Sequence, residues 1–242
     1  MTYFNYEPYL KKFNDFLTLR DLAANTIKNY NSFLRRYFNW LDGNLCKKPE
    51  DISYEELRSY IFYLKDVEKL SNRSINAHIS QLRFLTLYVL NKPWDSYQIP
   101  RMKFNTTLPD ILSKDEVFAI IDAATNLKHK AVIALLYSAG LRKSEVLHLK
   151  YKDISRKNMR IYVSPSKSRR DRYALLSHKT LDILTEYWFK HGKPYNWLFP
   201  GTKQGKPIST STIDRFVKNA AVNAGIDKNI NPHIFRHTFG TH

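Results

Sequence analysis

Apolar side chains recur at helical spacing along the whole front of the chain. From Tyr6 to Leu19 they fall at Tyr9, Leu10, Phe13, Phe16 and Leu17, the i, i+3, i+4, i+7 stripe of an amphipathic helix. Asn25 can cap a second helix running to about Leu41, with Ile27, Tyr30, Phe33, Leu34, Tyr37, Phe38 and Leu41 inward and Gly43 as its stop. Ser53 with Glu56 three residues on makes a capping box for a third helix through about Val67. Ser71 opens a fourth, on which Ile75, Ile79, Leu82, Leu85 and Val89 form one stripe. Four helices joined by short loops read as a small helical bundle over residues 1–91.

The pattern then breaks. Pro93, Pro100 and Pro109 punctuate a stretch with little periodicity, which predicts an extended linker over residues 92–107. Beyond it, Ser113 and Glu116 form a second capping box for a helix to about Ala124. The run Ala131–Tyr137 within Lys130–Gly140 is apolar all round, so that helix is buried, with Gly140 suited to its end. Another helix opens from Leu141, which sets Arg142 at a helix start, an unfavourable place for a cation unless an anion shares the site. Arg160–Val163 and Tyr173–Leu176 are short β-prone runs flanking a polar, basic tip. Helices resume near Thr180–Lys190 and Ser211–Ala224. The expected fold is mainly α with a small β-hairpin or sheet.

Composition narrows the class. At 43% hydrophobic and 25% charged, the 242 residues suit a globular chain of two domains, at about 150 residues each. The net charge of +17 calls for an acidic partner, most simply nucleic acid. Residues 1–107 carry 16 Lys plus Arg against 11 Asp plus Glu, and residues 108–242 carry 23 against 11, so most of the surplus lies in the second half. No apolar run is long enough to span a membrane, and no basic amphipathic anchor stands out. Cys46 is the single cysteine, which excludes an intrachain disulfide and a cysteine metal cluster and suits a reducing cytoplasm. In the first bundle, Lys28, Arg35, Arg36, Arg73, Asn76 and Arg83, with Asn72, His78 and Gln81 interspersed, are candidates for a face that touches phosphates and base edges; a solvated helix face is the alternative. In the hairpin tip, Lys167, Arg169, Arg170 and Arg172 are either solvated or aimed into a groove of DNA.

The last residues, Asn231 to His242, predict a helix capped by Asn231 with Pro232 in its first turn. His233 and Arg236 are three apart and share a face. A titratable imidazole beside a permanent cation suits a group that holds phosphate and moves a proton, although an isolated His-x-x-Arg is also an ordinary surface pattern.

Taken together these residues resemble the tyrosine recombinases, the integrases and Xer-type enzymes that break and rejoin DNA through a covalent phosphotyrosine. The resemblance covers nearly the whole chain. Its front half, including Asn25-Thr-Ile-Lys-Asn-Tyr30, looks like the family's helical SAM-like core-binding domain. Residues 108–242 look like its mixed α/β catalytic domain, beginning at Leu108-Pro-Asp-Ile-Leu-Ser-Lys-Asp-Glu-Val117. Ala139-Gly-Leu-Arg-Lys-Ser-Glu145 is similar to the first catalytic box, which implies Arg142 as a phosphate-binding arginine and Glu145 as its supporting acid. The hairpin from Ser166 to Arg172 is similar to the lysine-bearing hairpin, with Lys167 as the match. His233-Ile-Phe-Arg236-His237-Thr-Phe-Gly-Thr-His242 is similar to the second box and implies His233 and Arg236 as catalytic. Arginines and lysine would supply the electrostatics, so the resemblance implies neither metal nor cofactor. The implied partner is double-stranded DNA, bound as a tetramer in the full-length form.

One part of the family pattern has no counterpart. The third His or Trp and the nucleophilic Tyr follow the second box in the family, whereas this sequence ends six residues after Arg236 and none of its 16 tyrosines lies beyond it. The expectation is therefore a C-terminally truncated recombinase that binds DNA without cleaving it alone. A non-catalytic DNA-binding competitor and a type IB topoisomerase-like nicking protein are the alternatives.

Overall fold

The computed structural model describes residues 4–105, 110–164, 171–193 and 196–242. The chain divides into two compact units, residues 1–106 and 107–242. The first holds four helices, α1 (Glu7–Leu19), α2 (Ala24–Asn44), α3 (Tyr54–Phe62) and α4 (Asn72–Phe84). Single π-helical turns, Tyr63–Val67 and Leu85–Val89, extend α3 and α4 to the ends expected from their stripes. Ser53 and Glu56 close the expected capping box, and Ser71 caps α4 through the Ser74 N–H. Two expectations for α2 fail. Asn25 is not its cap, because the helix starts at Ala24 behind Ala23 with no side-chain cap, and Gly43 does not stop it. A helical glycine costs about 1 kcal/mol, and burial of Trp40 and Leu41 against the bundle outweighs that. The turn comes instead after Leu45, where Cys46 takes a positive φ of 51°.

The bundle core is strongly aromatic. Phe13, Leu17, Leu34, Leu41, Tyr60, Leu64 and Ile75 are fully enclosed, and Tyr6 stacks on Phe38 at 4.4 Å. The stretch expected as a linker is extended but does not stand free of this unit. Ile99 is buried in the bundle core, the Asp95 N–H donates to Tyr54 Oη, and Arg58 reaches Gln98. Residues up to about 105 are thus packed onto the first unit.

The second unit is built around α6 (Leu127–Ser138), whose Ala131 to Leu136 are all buried, as its uniformly apolar sequence requires. Around it lie α5 (Lys114–Ala123), the short α7 (Lys143–Leu147), α8 (His178–Lys190), α9 (Thr210–Asn223) and α10 (Pro232–Thr241). Ser113 with Glu116, Asn126, Ser177, Ser209 and Asn231 cap these helices, so almost every start is written locally in a Ser or Asn. A three-stranded antiparallel sheet, β1 (Ile154–Ser155), β2 (Arg160–Val163) and β3 (Arg172–Leu175), runs in sequence order. Its register pairs Ile161 with Ala174 and Val163 with Arg172. The two-residue β1 was too short for any pattern to reveal.

Candidate phosphate-binding site

The turn between α6 and α7 organises the site. Gly140 has φ +55°, a region costly for any residue with a Cβ, and a Cβ placed there would collide with the ring of Phe239 on α10. The glycine therefore lets the turn close and lets α10 lie against α6. Its carbonyl accepts a hydrogen bond from Arg236 Nη1, which fixes the arginine of α10 over the start of α7. Thr238, fully buried, adds a second tie by accepting from the Leu112 N–H at 3.2 Å.

Arg142 is the N-cap residue of α7, and Glu145 occupies the third helical position. The Glu145 carboxylate accepts the Arg142 N–H at 2.7 Å and the Arg142 guanidinium at 2.8 Å. The anion that the position of Arg142 demands is thus Glu145 itself. The same carboxylate accepts Arg172 Nη2 from β3 at 2.7 Å and lies 4.0 Å from Arg236 Nη1. Burial alone would raise the Glu145 pKa, but the Arg142 backbone and side chain together with Arg172 outweigh it and hold the carboxyl below its ordinary range. Glu145 is 3% exposed, whereas the three arginines keep 35 to 36% of their side chains in solvent. Burial first, and then the charge of Arg142, lowers the Arg236 pKa, with Glu145 opposing; a guanidinium nevertheless remains a cation in protein.

His233 stands one turn before Arg236 on α10, its backbone N–H on Asn231 Oδ1. Beside it Lys143 Nζ grips both carboxylate oxygens of Asp214 at 2.7 Å, joining α7 to α9. His233 keeps an exposed edge, yet partial burial is the main cause that lowers its pKa, reinforced by Lys143, His237 and Arg236 and opposed by Asp214. Its ordinary value of 6.5 already lies below neutrality, so a neutral imidazole results at pH 7.

Of the sequence-predicted site residues, Arg142, Glu145, His233 and Arg236 lie together here. Arg172, expected at the hairpin tip either in solvent or toward a groove of DNA, sits on β3 and reaches Glu145. Strand alternation explains this: Arg172 shares the inner face with Ala174, while Tyr173 and Leu175 point outward at 66% and 71% exposure. Lys167, Arg169 and Arg170 lie outside the described residues. In the first unit, Lys28, Arg35 and Arg36 line one concave surface of about 940 Å³ on α2, with Asn31, Asn39 and Trp40. Arg35 is paired with Glu7 at 3.1 Å and Arg36 with Glu68 at 3.5 Å. Arg73 and Arg83 are exposed on α4.

The amide and imidazole side chains of α4 are a correction. Asn76 is buried, giving its Nδ2 to the Met102 carbonyl and accepting the Met102 N–H, both at 2.8 Å. His78 is buried against Tyr60 Oη at 3.1 Å, and burial pushes its pKa down to about 4. Gln81 is buried as well. On the helix they border the stripe of Ile75, Ile79 and Leu82, His78 beside it and Asn76 and Gln81 on its two flanks, and all three are buried there. Conversely, sequence reasoning passed over the Gly140 carbonyl and the Lys143–Asp214 pair, neither of which leaves any local signal. Among the described residues no group of three or more His, Cys, Asp or Glu side chains is placed to hold a metal, and no helix is long and apolar enough to cross a membrane.

Comparison with known proteins meets the same two units. Residues 9–96 match the N-terminal SAM-like domain of phage integrases, and residues 110–242 match the phage integrase family. A chain of Sinorhizobium fredii named as an integrase/recombinase is 34% identical over 239 residues, covering 97% of this chain and 75% of that protein. A tyrosine recombinase of Thermosipho africanus is 30% identical over 247 residues, covering 96% and 84%. Among solved structures, a lambda integrase dimer on a COC′ core site shares the fold with a TM-score of 0.75 at 18% identity, covering 97% of this chain and 88% of that one. With two adjoining family domains in order and relatives of this identity along almost its whole length, the chain belongs to the phage integrase family of tyrosine recombinases.

Proposed function

We propose that these residues form the DNA-holding and phosphate-clamping portion of a site-specific recombinase acting on double-stranded DNA. The observation that carries the reading is the convergence of Arg142 and Arg236 on Glu145 at the Gly140 turn. Two guanidiniums fixed from opposite elements suit the non-bridging oxygens of one phosphodiester, which gain charge during in-line attack. In that step a tyrosine oxygen bonds to phosphorus, the bond to the 5′ oxygen breaks, and the departing oxygen takes a proton, which we assign to Lys167. Neutral His233 accepts or positions the proton of the attacking hydroxyl. Glu145 orients the arginines. Lys28, Arg35, Arg36, Arg73 and Arg83 add backbone contacts from the first unit. Lambda integrase has been solved as a tetramer on a Holliday junction, and we extend that assembly to this recombinase.

The Tyr137 hydroxyl pairs with His242 Nδ1, Tyr162 donates to Asp171, and the buried Tyr187 donates to the Leu198 carbonyl. In this reading none of these three tyrosines is the nucleophile, and the polypeptide by itself binds without cleaving. Fluorescence anisotropy with labelled duplex across a salt series tests the clamp. Arg142→Ala and Arg236→Ala should each weaken binding and flatten the slope of log K against log salt by about 0.9. Folded variants with wild-type affinity and slope would overturn the clamp. A covalent 3′-phosphotyrosine trapped on this polypeptide with a suicide substrate would overturn the second statement.

A further inference from the structure

Glu145 serves three arginines, of which the clamp described above uses two. Arg172 arrives from β3, far from Arg142 and Arg236 in its route through the fold, yet its Nη2 binds the same Oε2 that accepts the Arg142 N–H. Its side chain is 35% exposed, matching 36% for Arg142 and 35% for Arg236. A guanidinium has five N–H donors, and toward the described residues Arg172 spends one, on Glu145. Nitrogens held this close to one carboxylate can bracket a single phosphate-sized anion.

Charge makes the case sharper. Among the described residues, three guanidiniums face one buried carboxylate, while the neighbouring Lys143 is neutralised by Asp214. The cluster therefore carries a surplus of two positive charges. A resting phosphodiester has one negative charge, and the phosphoryl centre under attack has two. A surplus of positive charge at the cluster suits a phosphate whose negative charge grows under attack.

We propose that Arg172 is a third phosphate-binding arginine of this site, held in place by Glu145. The proposal rests on the clamp reading of Arg142 and Arg236. Anisotropy with a labelled duplex over a salt series compares the wild-type chain with Arg172→Gln, Arg172→Lys and, as reference, Arg236→Ala. Arg172→Gln should bind about ten- to hundredfold more weakly at fixed salt and lose about 0.9 from the salt slope, whereas Arg172→Lys keeps the slope. A folded Arg172→Gln variant whose salt line coincides with that of the wild type, beside an Arg236→Ala variant that has lost slope, overturns the proposal alone. Unchanged lines for both variants overturn the underlying clamp. Should Arg172→Gln fail to fold, phenylglyoxal modification of the wild-type chain decides. Duplex DNA should protect Arg172 several-fold, as it protects Arg142 and Arg236; an Arg172 that stays reactive while those two are shielded refutes the assignment.

Discussion

Gly140→Ala probes the turn on which the site depends. Two separate costs are expected. The first is conformational: an L side chain at φ +55° costs about 1–2 kcal/mol. The second is steric, because the new Cβ lies inside the Phe239 ring, and forced overpacking costs about 1–3 kcal/mol. Phe239 is 41% exposed, so its ring can swing outward, which keeps the second cost near the lower end. The single variant should thus lose about 2–3 kcal/mol, the conformational cost plus a steric cost near about 1 kcal/mol. In a Phe239→Ala background only the conformational part remains, about 1–2 kcal/mol. Native-state hydrogen exchange of the buried α6 amides reads the stability of this unit directly. The double-mutant cycle should show a coupling of at least about 1 kcal/mol. Equal losses in both backgrounds would refute the Gly140–Phe239 contact, and a loss below about 0.5 kcal/mol in both would refute the positive-φ turn. Duplex affinity should fall along with stability, since the Gly140 carbonyl anchors Arg236.

Glu145→Gln should destabilise the second unit by about 1–3 kcal/mol at pH 7, because two guanidiniums lose their charged acceptor. The carboxyl pKa is lowered on folding, so its stabilisation is present above the ordinary value of 4.5 and lost as pH falls through the lower folded value. Urea titrations from pH 7 downward should converge for wild type and variant in that acidic window; a constant gap would contradict the linkage. Asn76→Ala should cost the first unit about 1–3 kcal/mol by leaving the Met102 amide groups without partners, while the salt slope of DNA binding stays at the wild-type value. A flattened slope in a folded Asn76 variant would restore it to the DNA-facing surface.

Much of this protein is legible in its sequence because the signals are local. Ser53, Ser71, Ser113 and Asn231 cap helices within the next three residues, and the all-apolar α6 announces its own burial. The order of Arg142, the basic hairpin and His233 with Arg236 gives the family. Local signals also mislead where packing outweighs them, as with Gly43, which α2 passes through because its neighbours are buried. On α4, polar Asn76, His78 and Gln81 resemble a recognition face, and only the arrival of Met102 and Tyr60 shows that they are interior.

What tertiary structure alone decided is which distant groups share one charge and one carbonyl. Glu145 gathers Arg142 from three residues away and Arg172 from 27, and Gly140 meets Arg236 across 96 positions. Sequence determined that these side chains exist and on which elements they ride. Their convergence depends on α10 crossing α6 at a residue without a Cβ and on the strand parity that turns Arg172 inward, and neither is a property of any short stretch of chain.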